Sequence, residues 1–314
     1  GTQEPKDGRT GSFLAGTQRR AKMRFSYAEA MTQATYYAPL AQAAEAAGYT
    51  SMTVADSLIY PEDSESKYPY TDTGDREFLE GKEFIETMIL CAHLFAHTST
   101  LRLTPFVLKL PIRPPVLVAK QASSLAFLSG GRLGLGVGIS PWPEDFDALG
   151  VPWERRGKRM DECMDILRGL TTGEFFEYHG EFYDVESLKQ CPGAPVKIPL
   201  LVGGHADAAL RRAVRKGDGW MHAGGDGEEL DRLLTRLAEI RAEEGDTRDD
   251  FEVHVISYDA YTLDGIKRLE DKGVTDCIVG FRVPYIKGPD TEPLDKKIEH
   301  LERYAEQIIA KVGG

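Results

Sequence analysis

The segment Leu201-Val202-Gly203-Gly204-His205-Ala206-Asp207 runs from an apolar stretch into a polar, Ala-rich one. Paired glycines at such a junction let the backbone approach a ligand closely, and the free N–H groups at a helix start attract an anion. A phosphate suits this arrangement. A tight turn with Asp207 as helix cap explains the same residues. In Arg132–Ser140 (RLGLGVGIS), Gly134, Gly136 and Gly138 alternate along one run. This is not the dinucleotide fingerprint, because the spacing is G-x-G-x-G, it lies within a strand, and no helix follows at once. Glycines there either admit a planar ring or relieve crowding inside a barrel. Asp56 and Ser57 follow the apolar run 51–55. Asp56 reads as a cofactor-orienting acceptor or as the start of an Asx turn.

Two further patterns carry less chemistry. His93 and His97 have the i, i+4 spacing of a metal pair, but no third ligand accompanies them, so they read as ordinary helix histidines. The basic run Arg155, Arg156, Lys158, Arg159 reads as a solvated face. The chain has no G-x-S-x-G, no Walker motif and no zinc signature, which leaves hydrolase and nucleoside-triphosphatase readings without support.

The elements that must position these residues follow from periodicity. Strands are predicted at 24–27, 51–55, 101–110, 132–139, 199–202, 219–223, 251–258 and 276–281. Helices are predicted at 36–47, 83–96, 114–128, 154–170, 207–216 and 263–272. Two more are marked by the helical spacing of Leu230, Leu233, Leu234, Leu237 and Ile240, and of Leu294, Ile298, Leu301, Tyr304 and Ile308. Residues 175–185, around His179-Gly180, read as a hairpin, and 61–80 as a long loop rich in Tyr, Asp and Ser, of a length that is often functional. Eight strands alternating with eight helices predict an α/β fold, a (β/α)8 TIM barrel with a hairpin insertion. The expected organisation is an extension over 1–22 followed by one barrel domain over 23–314. In such a barrel the chemistry lies at the C-terminal ends of the strands, here after Ala55, Leu108, Gly138, Val202, Ala223, Tyr258 and Phe281.

Size and charge agree with that class. The 314 residues are enough for one barrel, and 41% hydrophobic with 28% charged residues is ordinary for a globular chain. A net charge of -12 argues against a nucleic-acid surface. It leaves room for an anionic ligand at one local donor-rich site. The cysteines Cys91, Cys163, Cys191 and Cys277 are widely spaced, which fits a reducing cytoplasm better than a disulfide framework. No apolar run approaches the roughly 20 residues of a membrane span, and 1–22 lacks the apolar stretch of a signal peptide.

Several segments together resemble the luciferase-like monooxygenase family, in particular its F420-dependent branch. They are AKQASSLAFLSGGRL (119–133), GLGVGIS (134–140), Phe146 to Gly150 with Arg156-Gly157, Gly180-Glu181-Phe182-Tyr183, the strand end at Gly203-Gly204, and Lys216-Gly217-Asp218-Gly219-Trp220. The resemblance runs from about Met23 to the C-terminus. It implies a TIM barrel holding a flavin or deazaflavin at its C-terminal face. Carried over, it assigns catalytic roles to Asp56 and Ser57. It assigns cofactor contacts to Phe106, Val107 and Leu108, where relatives often hold a non-prolyl cis peptide, and to Gly138, Ile139, Ser140, Gly203, Gly204, His205 and Ala206. Many relatives carry Asp-His where this chain has Asp56-Ser57, and a serine is a poor general base without a partner. Tyr60, Tyr68, Tyr70, Trp142 and His222 are expected to line the substrate pocket, with Tyr258 and Arg282 nearby and 61–80 as the substrate loop. The implied activity is hydride transfer between coenzyme F420 and a small organic substrate, in a possible homodimer. The alternatives are an FMN-dependent monooxygenase with a partner reductase, and a non-catalytic F420-binding protein.

Overall fold

The computed structural model describes residues 22–312; most of the expected extension over 1–22 lies outside them. Parallel strands β1 (Arg24–Ala28), β2 (Ser51–Val54), β3 (Arg102–Pro105), β4 (Leu108–Lys109) and β5 (Leu135–Gly138) are followed by an antiparallel hairpin, β6 (Phe176–His179) and β7 (Asp184–Leu188). Four more parallel strands complete the main sheet: β8 (Leu200–Gly203), β9 (Gly219–Met221), β10 (Glu252–Val255) and β11 (Asp276–Val279). The order is β3-β2-β1-β11-β10-β9-β8-β5-β4. β3 and β4 are consecutive segments of one barrel strand, separated by the cis peptide bond Phe106–Val107. β3 pairs with β2, and Leu103 bridges to Leu133 on the β5 side, so the ring closes with eight strand positions.

The helices are α1 (Tyr37–Ala47), α2 (Thr87–His97), α3 (Pro115–Ser129), α4 (Pro143–Leu149), α5 (Arg156–Leu170), α6 (Asp207–Lys216), α7 (Gly227–Glu243), α8 (Leu263–Asp271) and α9 (Leu294–Gln307). α4 departs from the sequence reading. Pro143 at its start and Glu144 and Asp145 in its first turn are helix-start signals, but seven residues are too few to show a period. None of the described helices is long and apolar enough to cross a membrane.

Alternation along the strands divides the apolar residues. One set, including Phe25, Leu103, Leu108, Val137, Val202 and Val255, packs outward against the helices. A second, smaller set fills the barrel: Leu201, Met221 and Ile278, with the half-buried Ala28, Phe106, Val107 and Ile256 against them. At the N-terminal end of the barrel, Arg24 binds Asp276 at 2.7 Å and Arg102 binds Glu252 at 2.9 Å. His254 Nε2 lies 2.6 Å from Glu252. Burial pushes the Glu252 carboxyl up, but the bond from His254 and the Arg102 charge outweigh it and hold the group at about 2. Glu252, His254 and Asp276 are close enough together to share an ion, yet the two guanidiniums already neutralise them. This end of the barrel is a charge network that fixes strand starts.

Candidate active site at the barrel mouth

Parallel strands deliver their C-terminal residues to one face, and here that face has an apolar floor. Ala28 ends β1, Phe106 and Val107 separate β3 from β4, and Ile256 follows β10. Gly138 and Gly203 flank Val107 so closely that a Cβ on either would lie 2.5 or 2.8 Å from its methyl groups. The glycines therefore make room for the floor itself, Gly138 against Val107 and Gly136 against Pro105 and Met221.

The rim beside β8 and β9 is polar. Gly204 has φ +122°, Gly224 +102° and Gly225 +135°, conformations that a side chain resists. His205 Nε2 accepts from the Ala223 N–H at 3.0 Å, so its proton sits on Nδ1, 3.4 Å from Glu229. His222 Nδ1 accepts from the Ile256 N–H at 3.4 Å, so its proton sits on Nε2. That Nε2 is buried and has no hydrogen-bond partner among the described residues. Burial, and then the nearby His205, push His222 down to about 4; burial also lowers His205, against the pull of Glu229. Both rings are neutral near pH 7.

Asp56 sits just after β2 as expected, with its carboxylate fully engaged. Its carboxylate accepts from Thr87 Oγ1 (3.1 Å), Lys109 N (2.9 Å), Arg113 Nη1 (2.9 Å) and Arg113 Nη2 (2.8 Å). Its side chain is 1% exposed. Asp56 is a strut that ties β2 to the β4 turn. Ser57, next to it, is half-buried, and its hydroxyl holds no hydrogen bond among the described residues.

Two expected cofactor contacts, Leu108 and Ile139, pack away from the mouth. Leu108 points outward into the helix-facing core, because the strand alternates and Val107 has the inward place. Ile139 also packs against that outer core. The Ser140 hydroxyl donates to Asp145 at 2.8 Å and accepts from Trp142 N at 3.1 Å. Lys109 Nζ completes this buried group at 2.6 Å from the same Asp145 oxygen. Ala206, exposed, leads directly into α6.

The long loop between β2 and α2 lies across the mouth. Tyr68 stacks on Trp142, centroids 5.3 Å apart with planes 15° from parallel. It also meets Phe78 and Tyr70, and Tyr285 from the loop after β11. Tyr70 meets His205 edge-on at 5.7 Å. The lid thus touches the loops after β5, β8 and β11. Glu144 of α4 holds it down through Ser64, Ser66 and Arg76. Of the expected pocket residues, Tyr68, Tyr70, Trp142 and His222 come together. Tyr60 lies at the exposed margin, and Tyr258 is 90% exposed away from the cluster. Arg282 is occupied by Glu29 at 2.7 Å. Phe78, Arg76, Glu144 and Tyr285 were not foreseen, since residues so far apart in the chain show no shared pattern.

The basic run also differs from its reading as a solvated face. Arg155 pairs with Glu181, Arg156 lies 3.5 Å over the Trp153 ring and Arg159 4.5 Å over Phe182, so the run fastens the hairpin. His93 and His97 meet each other on the exposed side of α2.

Known proteins place this architecture. A protein of Mycobacterium tuberculosis, uncharacterized protein Rv0940c, is 66% identical over 290 residues, covering 92% of this chain and 100% of that protein. The coenzyme F420 dependent tetrahydromethanopterin reductase of Methanopyrus kandleri superposes with a TM-score of 0.68 at 16% identity, over 93% of this chain and 100% of that one. The oxygenating constituent of 3,6-diketocamphane monooxygenase from Pseudomonas putida, solved with FMN, gives 0.69 at 14% identity, over 93% and 99%. These two show the shared fold. The family model described as luciferase-like monooxygenase matches residues 13–275, which includes β1 through β10 and every segment that forms the floor and the lid. The chain belongs to the luciferase-like monooxygenase family.

Proposed function

We propose that this chain is an oxidoreductase that moves a hydride between the deazaflavin coenzyme F420 and a small organic substrate held over the barrel mouth. The observation that carries the reading is the combination of an apolar floor (Ala28, Phe106, Val107, Ile256) with an orphaned buried donor, His222 Nε2, beside glycine turns at its rim. A flat ring with a phosphate on its tail needs both. Phe106, Val107 and Ile256 would support the ring. Gly203, Gly204, His205 and Ala206, leading into α6, would take the phosphate with His222. When bound, the cofactor supplies the two-electron chemistry at its ring. The chain positions the reactants and excludes water with the lid. The unpartnered Ser57 hydroxyl is placed to hydrogen-bond a substrate oxygen, and Asp56 acts at one remove, by fixing the β4 turn.

The choice of F420 over FMN rests on segments 119–133, 134–140 and 216–220, which resemble the deazaflavin branch. Titrating the purified protein with F420 and with FMN, followed by fluorescence, tests it. Tight F420 binding with weak FMN binding is the expected result. The reverse moves the activity to an FMN monooxygenase served by a partner reductase, and binding of neither by folded protein removes the proposal. Exposed Ile89 on α2 and Leu117 and Leu128 on the adjacent α3 support a homodimer, which light scattering would test.

A further inference from the structure

The lid carries a cation whose bonding is incomplete. Arg76 is 7% exposed, and its guanidinium carbon lies 4.0 Å from the centre of the Trp142 ring, the ring on which Tyr68 also stacks. A guanidinium has five N–H donors. Here Nη2 lies 3.1 Å from Glu144 Oε1 but is not directed at it, and no guanidinium N–H of Arg76 makes a hydrogen bond among the described residues. Glu144 is already engaged by the hydroxyls of Ser64 and Ser66. Arg156 also lies over a tryptophan ring, Trp153, with a buried unbonded Nε, but beside the hairpin and not in the lid; two other guanidiniums are saturated. Arg113 is bidentate on Asp56, and Arg132 spends all three nitrogens on carbonyls and a hydroxyl. Removing a guanidinium from water without replacing its hydrogen bonds is costly. A site that bears this cost is poised for an acceptor from outside.

We propose that Arg76 anchors a carboxylate, or a planar anion of like geometry, on the substrate, while Tyr68, Trp142 and Tyr285 take that substrate's flat apolar body. This rests on the reading of the barrel mouth as the substrate site. Guanidinium geometry matches a carboxylate bidentately. Glu144 is the internal stand-in for that group, a carboxylate already drawn to the same nitrogen. In a chain of net charge -12, an anion has no general attraction to the surface, so a local cation has to supply it.

The test uses benzoate and benzamide as probes, which share shape but not charge, and follows tryptophan emission of the full chain. The signal is assigned by its loss in Trp142→Phe. Benzoate is expected to bind at least tenfold tighter than benzamide. Arg76→Gln should abolish that preference, and Arg76→Lys should retain part of it. F420 affinity of Arg76→Gln should match wild type, which separates loss of the anchor from loss of the fold. Equal binding of the two probes, no benzoate binding, or a preference that survives in Arg76→Gln overturns the proposal. The wild-type comparison decides even if the glutamine variant does not fold. Failure of wild type to bind either F420 or FMN strikes the cofactor reading instead. Intact cofactor binding with indifference to benzoate strikes only the anchor.

Discussion

The imidazoles of His205 and His222 lie face to face, with ring centroids 4.9 Å apart and planes within 13° of parallel. A backbone N–H donates to each, Ala223 to His205 and Ile256 to His222, while burial disfavours the charged form of both rings. A proton added to the accepting nitrogen of either ring would face that N–H and the neighbouring ring. The pair joins the loops after β8 and β9 only in its uncharged form.

Acid should therefore loosen this face. The folded value for His222, about 4, lies below its ordinary 6.5, so the unfolded chain takes the proton first. The stability from this group is complete above pH 6.5 and is lost as pH falls from 6.5 toward 4. The full loss is roughly 3 kcal/mol at about 1.4 kcal/mol per pH unit. Urea midpoints at pH 7 and pH 4.5 should fall further in wild type than in His222→Gln. An equal fall in both would rule out His222 as the source.

Asp56→Ala should destabilise the protein strongly without touching a ligand. It strands the Arg113 guanidinium, 10% exposed at its side chain, and the Lys109 N–H. Breaking a buried pair on one side costs about 3–5 kcal/mol. Chemical denaturation gives the value directly, and a loss under about 1 kcal/mol would mean that the pair behaves as a surface one.

Gly138→Ala puts a Cβ 2.5 Å from Val107 Cγ2. Overpacking of this kind costs roughly 1–3 kcal/mol. Val107→Ala in the same chain should return most of it, since the clash is with that side chain alone. The four denaturation free energies form a double-mutant cycle. Additivity of the two changes would show that they do not meet.

Gly204→Asp should weaken cofactor binding, because it places charge and bulk at the turn with φ +122° where the phosphate would lie. Circular dichroism checks that the variant folds and fluorescence titration reads the affinity. Wild-type affinity in a folded variant would move the phosphate elsewhere.

The sequence by itself determined the barrel. Short apolar runs such as 51–55 and 276–281, alternating with the Leu and Ile spacing of α7 and α9, are buried together as parallel strands under helices. It also determined which residues the strand ends deliver to one face, and the local turn at Gly203-Gly204, because those depend on residues near in the chain. What only tertiary structure decided is which polar groups remain free. Asp56 was legible as a residue at the mouth, but its saturation depends on Thr87, Lys109 and Arg113. Nothing in the neighbourhood of Arg76 marks it as under-bonded, since its surroundings come from Trp142 and Glu144. Leu108 and Val107 differ only in the phase of one interrupted strand, which sets one toward the helices and the other toward the mouth. Periodicity reports burial, which is local along an element. Hydrogen-bond saturation is a property of contacts between elements, and these form only when the chain closes on itself.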